Sequence, residues 1–244
     1  GQIYRDVGTV DPIVTRLLGP DYVHGLALTQ ALHDSTAERH ADTLVWDVSR
    51  DLTVTALHDG RAFQLRAPQL IAATGALERA PPLPGWTLPG VMNAGAAQIA
   101  LKTSGAIPSG RVVLAGAGPL LLLVAGQLLQ AGATVAAVVE TAPAANRQAA
   151  LRHLPAALRS PRTLLKGVAM LNRLRRAGIP WFTHASDLAV QGTQRAEALS
   201  FSAGGRGHRI DADTVLLHHG VVPDTQLSRL LRVDHVWSDA QLAW

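Results

Sequence analysis

Residues 111 to 140 read RVVLAGAGPLLLLVAGQLLQAGATVAAVVE, and the fold class of the chain turns on them. RVVLAG is a short β-branched run of the kind that forms buried parallel strands. Gly116 and Gly118 follow at once, where the chain must turn sharply and a bare backbone admits a pyrophosphate. Pro119 stands at the first position of the expected helix, which tolerates its missing N–H. That helix would aim its free N–H groups and the positive end of its dipole at the phosphates. Glu140 ends the second strand roughly 20 residues beyond the turn, where an acid accepts from a ribose 2′-hydroxyl. Strand, glycine turn, helix, strand and terminal acid agree on a dinucleotide-binding βαβ unit. One residue departs from the pattern: the usual third small residue is Leu121, which removes the close strand-to-helix contact that glycine allows.

The same stretch invites a second reading, because no charged residue occurs between Val112 and Val139. That exceeds the roughly 20 apolar residues of a membrane-spanning helix. Four glycines, Pro119, Gln127, Gln130 and the β-branched end ATVAAVV stand against it. Parallel strands covered on both faces also read as continuous apolar runs. No transmembrane span is expected.

With 244 residues, 48% of them apolar and 16% charged, the chain can bury a substantial core in one or two domains. It contains no cysteine, which removes disulfide frameworks, thiolate metal sites and any redox dithiol. A reducing, cytoplasmic setting fits that composition. The formal net charge is +4, and no nucleic-acid motif accompanies it, so no nucleic-acid partner is expected. The chain starts Gly1-Gln2-Ile3-Tyr4-Arg5 without an initiator methionine or a signal peptide and stops at Trp244. It therefore reads as the middle of a longer protein.

Upstream of the βαβ unit, residues 26 to 34 have helical spacing. TLVWDVS, LTVTALHD, AFQLRA and QLIAATG then alternate as short β runs and turns. Asp59-Gly60 between the second and third marks a tight hairpin. The apolar run Leu70 to Ala73 is expected as a strand that ends at Thr74-Gly75. From Ala80 to Gly90, Pro81, Pro82, Pro84 and Pro89 forbid regular structure, as at an interdomain crossing. Residues 94 to 104 read as a helix, and 146 to 178 as helices broken by Pro155 and Pro161. WFTHA, DLAVQG, RAEALSFS and the hairpin-like HRIDADTVLLHHG follow, and AGGRGHR reads as a hairpin loop.

Taken in order, Gly1-Gln2-Ile3, Ala73-Thr74-Gly75, Gly116-x-Gly118 and Gly220-x-x-Pro223 resemble the two-dinucleotide-binding flavoproteins. More narrowly, GQIYR, ALERAPPLPGWTLPGVMNAGAAQ, LAGAGPLLLLVA and HHGVVPDTQLSRLL resemble the FAD/NAD(P)-binding α-type subunits of amine and imino-acid dehydrogenases. That group includes the flavoprotein subunits of opine oxidase, of hydrogen cyanide synthase and of heterotetrameric sarcosine oxidase. The resemblance runs through essentially all of the chain, and WTLPGVMNAGAAQ is its most specific part.

The resemblance implies an α/β, Rossmann-like two-domain flavoprotein fold, with an NAD-like domain inserted in an incomplete FAD domain. Residues 1–90 would be a partial FAD domain with the proline connector. Residues 91–215 would be the inserted NAD(P)-type domain, and 216–244 the return to the FAD domain. Gly1 and Gln2 would lie beside the flavin, Thr74 and Gly75 would form the turn passing the FAD pyrophosphate, and Gly220 and Pro223 would close the returning strand. Neither the family's first glycine-rich FAD loop nor its late Gly-Asp has a counterpart here, so the chain alone would bind FAD poorly and be inactive. The implied activity is flavin-dependent oxidation of a secondary amine or imino acid by one member of a hetero-oligomer. FAD and NAD(P), or another adenine nucleotide, are the implied cofactors. The alternatives are a non-catalytic nucleotide-binding scaffold and a pyridine nucleotide–flavin reductase without a redox disulfide.

No catalytic acid or base can be named from the chain. Glu140 argues for NAD over NADP, because a carboxylate repels a 2′-phosphate. Between Thr141 and Ser186 eight basic residues, Arg147 and Arg175 among them, occur without an acid. They read as a surface for an anionic ligand or acidic partner, or as a solvated helix face. His218 and His219 are adjacent on a strand, face opposite sides and cannot chelate one metal, so no metal site is expected. The five tryptophans read as core or interface anchors.

Overall fold

The computed structural model describes Tyr4, residues 7–9 and residues 11–244, without the side chains of Arg147, Gln148 and Leu154. Gly1 and Gln2 lie outside the described residues. In chain order the first elements are α1 (Pro12–Leu18), α2 (Pro20–Val23), α3 (Gly25–His33), β1 (Leu44–Val48), β2 (Thr53–His58), β3 (Arg61–Arg66), β4 (Ala76–Glu78), β5 (Val91–Asn93) and α4 (Ala94–Ser104). There follow β6 (Arg111–Gly116), α5 (Pro119–Gln130), β7 (Thr134–Glu140), α6 (Ala144–Leu151), α7 (Leu154–Ala157), α8 (Pro161–Arg176), β8 (Trp181–Phe182) and β9 (Ser186–Gln191). The last are β10 (Ala198–Ala203), β11 (Arg206–Asp211), β12 (Thr214–His218), β13 (Val221–Pro223) and α9 (Gln226–Leu230).

By packing, the chain divides into two compact units, Gly1–Leu26 with Glu78–Gly220 and Ala27–Leu77 with Val221–Trp244. These limits differ from the expected boundaries at residues 90 and 215. The proline connector goes with the first unit because its carbonyls are used there. Pro84 O accepts from Val190 N–H at 2.8 Å, Pro89 O from Ala196 N–H at 2.8 Å and Gly90 O from Val215 N–H at 2.9 Å. The N-terminal helices join it too, since Val14, Leu18 and Tyr22 bury themselves against Leu101 of α4.

In the first unit a five-stranded parallel sheet runs in the order β5-β12-β6-β7-β8. Its apolar strands are buried on both faces, and alternation along them decides which neighbour each side chain meets. Val112, Leu114 and Leu216 point to one face, where they pack with Ala97, Leu121, Val124, Leu128 and Leu174 of α4, α5 and α8. Val113, Ala115, Val215 and Leu217 point to the other, against Val190, Leu199 and Phe201 of an antiparallel sheet ordered β11-β10-β9. The uncharged stretch is therefore a covered strand, turn, helix and strand. No helix among the described residues is long and apolar enough to cross a membrane.

Several expectations change. Leu70–Ala73 forms no strand: it finds no ladder partner among the described residues, and Ile71 is 90% exposed. Intrinsic β preference without a neighbouring strand leaves the backbone groups to solvent. HRIDADTVLLHHG is not a hairpin. β11 pairs antiparallel with β10, whereas β12 enters the centre of the parallel sheet. Leu121 does not block the helix start, because its side chain is 1% exposed and fills the core that a glycine would have left. Of the tryptophans, Trp46, Trp86, Trp237 and Trp244 are exposed, and Trp181 packs on the apolar core of the sheet.

The second unit holds the antiparallel meander β1-β2-β3 and the strand pair β4 and β13. His58 and Arg61 pair across Asp59-Gly60, whose φ values of 46° and 75° are both positive, as a two-residue type I′ turn requires. In the first unit the loop Gly204-Gly205 joins β10 to β11 in the same way, between Ala203 and Arg206.

The two-faced burial makes a direct prediction. Leu114→Ala should lower unfolding stability by about 2–5 kcal/mol, while Leu165→Ala, on the exposed side of α8, should change it by less than about 0.5 kcal/mol. Denaturant midpoints of the two variants check this; equal values would overturn the assignment of the core.

Candidate functional site

The glycine turn after β6 is shaped by β12. A Cβ on Gly116 (φ +140°) would lie 1.8 Å from the carbonyl oxygen of His218, so only glycine fits. The same carbonyl accepts from Ala117 N–H at 2.8 Å, and Gly116 O accepts from Thr141 N–H at 2.8 Å. At Gly118 (φ +100°) the situation is the reverse. A Cβ there would meet only the His218 ring, with Nε2 at 3.8 Å, so the side of the turn that glycine leaves bare is open. Gly118 and Pro119 are exposed, Pro119 is the first residue of α5, and no side chain caps the helix start. An open backbone cradle before an uncapped helix N-terminus suits a pyrophosphate.

Glu140 ends β7 opposite Gly116 in register. Its Oε2 accepts from the Trp181 indole N–H at 3.4 Å, and its carbonyl accepts from Ala185 N–H at 2.9 Å. Beside it opens a hollow of about 640 Å³, lined among others by Asn146, Arg175, Trp181, Thr183 and His184. His184 Nδ1 lies 2.8 Å from Ala142 O and holds that rim. The lining of the hollow thus includes a carboxylate, an indole and a guanidinium. Thus Gly116, Gly118, Pro119 and Glu140 come together at the carboxyl edge of the parallel sheet.

The other expected residues divide between the units. In the second, Thr74 Oγ1 donates to Asp224 O at 3.2 Å, and Asp224 N–H donates to Gly75 O at 3.2 Å. Thr74, Gly75 (φ +79°) and Pro223, the last residue of β13, are thereby tied together. Gly220 belongs to the first unit, where its carbonyl accepts from Arg79 N–H at 2.9 Å.

One pair escaped the sequence analysis. Glu78 and His218, with side chains 12% and 5% exposed, meet through Oε1 and Nδ1 at 2.5 Å. The other carboxylate oxygen accepts from Gly95 N–H at 2.8 Å, in the first turn of α4. In the sequence Glu78 stands at the start of the proline-rich stretch with no special spacing, and His218 offers only its neighbour His219. Nothing local signals a contact across 140 positions. His219 itself has a buried Nε2 without a partner. Its burial, with His218 and Arg79 as further causes, holds its pKa below the usual imidazole value. Among the described residues no cluster is fit to hold a metal ion.

Because Glu78 bonds two partly buried partners at once, Gly95 N–H and the His218 ring, Glu78→Ala should lower unfolding stability by about 2–3 kcal/mol. Arg66→Ala, which removes a surface ion pair to Asp51, should cost less than about 1 kcal/mol. Chemical denaturation of both variants separates the two cases.

Comparison with known proteins gives the site its context. An opine oxidase subunit of Rhizobium meliloti is 41% identical over 252 residues, covering all of this chain and 48% of that protein. Hydrogen cyanide synthase subunit HcnB of Pseudomonas aeruginosa is 37% identical over 187 residues, covering 73% of this chain and 40% of that one. The chain spans about half the length of the curated relatives it matches. Among solved structures, bacillithiol disulfide reductase of Bacillus cereus shares the fold, with a TM-score of 0.59 at 16% identity, covering 92% of this chain and 68% of that one. A protein with no cysteine and a bare glycine turn on a parallel sheet thus carries the family pattern over residues 29–237, and it belongs to the pyridine nucleotide-disulphide oxidoreductase family.

Proposed function

We propose that this chain is the nucleotide-binding part of an FAD-dependent oxidoreductase subunit that oxidises a secondary amine or imino acid within a hetero-oligomer. The observation that carries the reading is the 41% identity to the opine oxidase subunit over the whole chain. The second relative, from hydrogen cyanide synthase, points to the same class of nitrogen-bearing donor. The disulfide chemistry in the family's name has no dithiol in these 244 residues.

In this reading the first unit takes an NAD(P)-type dinucleotide or another adenine nucleotide. Gly116 lets the turn close against β12, Gly118 leaves its backbone bare for the pyrophosphate, and Pro119 starts the helix that faces it. Glu140, held by the Trp181 N–H, accepts from the adenosine ribose and favours NAD over NADP. Thr74, Gly75 and Pro223 of the second unit are proposed to lie along the FAD path. FAD, where bound, would supply the redox chemistry. The chain's own part is to bind and orient nucleotide.

Purified full-length protein should be yellow, release FAD on denaturation, and reduce an electron-accepting dye with an opine, proline or sarcosine. A colourless protein that binds only adenine nucleotides would support the non-catalytic scaffold instead.

The nucleotide site is tested separately. Gly118→Trp should abolish adenine-nucleotide binding in calorimetry, because the indole fills the cradle. Glu140→Arg should weaken NAD binding about tenfold, through a lost charge-assisted hydrogen bond, and reverse the preference toward NADP. Unchanged NAD affinity in both variants would place the dinucleotide elsewhere.

A further inference from the structure

The strand order β5-β12-β6-β7-β8 puts β7 on one side of β6 and β12 on the other. In open parallel sheets a ligand sits in the crevice outside the carboxyl ends at such a reversal. His218 ends β12 and pairs in register with Gly116, the end of β6. Its imidazole therefore stands on the opposite bank of that crevice from the glycine turn.

The ring is held by geometry. Nδ1 is tied to Glu78 Oε1 at 2.5 Å, and Glu78 is fixed in turn by Gly95 N–H at the start of α4. Nε2 is left facing the turn, 3.8 Å from the point a Cβ on Gly118 would occupy. That point is the space a pyrophosphate enters. A protonated imidazole donates from both nitrogens, one to the carboxylate and one to a phosphate oxygen. The surrounding elements bring little competing charge. α5 carries none, Arg111 lies at the far end of β6, and Lys102 lies in the last turn of α4. Glu78 contacts the ring, and the neighbouring His219 feels both His218 and Arg79.

We propose that His218 is a ligand of the dinucleotide pyrophosphate, presented across the glycine turn by Glu78. This rests on the dinucleotide site proposed above and adds to it a side-chain donor that glycine-turn patterns do not include.

The test is calorimetric titration of the purified protein with NAD, ADP and adenosine. His218→Phe keeps the ring volume and removes the donor. It should weaken NAD and ADP about tenfold, as expected for one hydrogen bond to a charged group, and leave adenosine unchanged. His218→Gln, whose amide can still donate, should bind NAD more tightly than the Phe variant. Should the Phe variant fail to fold, His218→Leu takes its place. Equal NAD affinity in the Gln and donor-free variants overturns the assignment. So does a Phe variant that binds NAD like the wild type, or one that loses adenosine equally. If the wild type takes up no NAD, the dinucleotide site falls and the His218 assignment with it. If wild-type binding is intact and only the His218 effects are missing, the site stands and the assignment alone fails.

Discussion

The carbonyl of His218 sets how close β6 and β12 come. It accepts from Ala117 N–H and lies where a side chain on Gly116 would have to go. A residue with a Cβ would push the two strand ends apart, open the seam and displace the start of α5. The crevice at the carboxyl edge, the bare backbone of Gly118 and the direction of the helix dipole all follow from that contact. It joins a glycine turn near the middle of the chain to a strand more than a hundred residues later.

Around this seam the sheet is insulated on both sides. One face is covered by helices and the other by a small antiparallel sheet, and the apolar alternation of β6 and β12 serves both. Burial on two faces is why the middles of β6 and β12 carry no polar side chains to mark an inner and an outer side. It also gives the carboxyl edge its character, because the polar groups that remain are gathered there: Glu140, Trp181 N–H, His184, Glu78 and His218. A site built at the end of a dry sheet concentrates its hydrogen bonds on whatever ligand enters.

The family is named for disulfide chemistry, and this chain has none of the sulfur it requires. What it shares with its relatives is the nucleotide-handling architecture. Bacillithiol disulfide reductase, named for a disulfide reaction, has the same fold at 16% identity. A fold does not by itself fix the chemistry. The closer relatives carry names that concern opines and hydrogen cyanide.

Local patterns were legible where the physics is local. The strand–turn–helix–strand of residues 111 to 140, the Asp59-Gly60 hairpin and the Pro119 helix start were readable because glycine, proline and β-branched residues restrict the backbone at their own positions. Leu70–Ala73 was misread because a strand exists only with a partner, and the β11–β12 segment because two adjacent β runs can join different sheets. The sequence by itself determined the class of fold and the bare-backbone turn. Tertiary structure alone decided that the proline connector packs with the first unit, that Leu121 fills core, and that Glu78 meets His218. Those outcomes depend on the space and hydrogen-bonding groups left by segments far away in the chain, and no short window of residues carries that information.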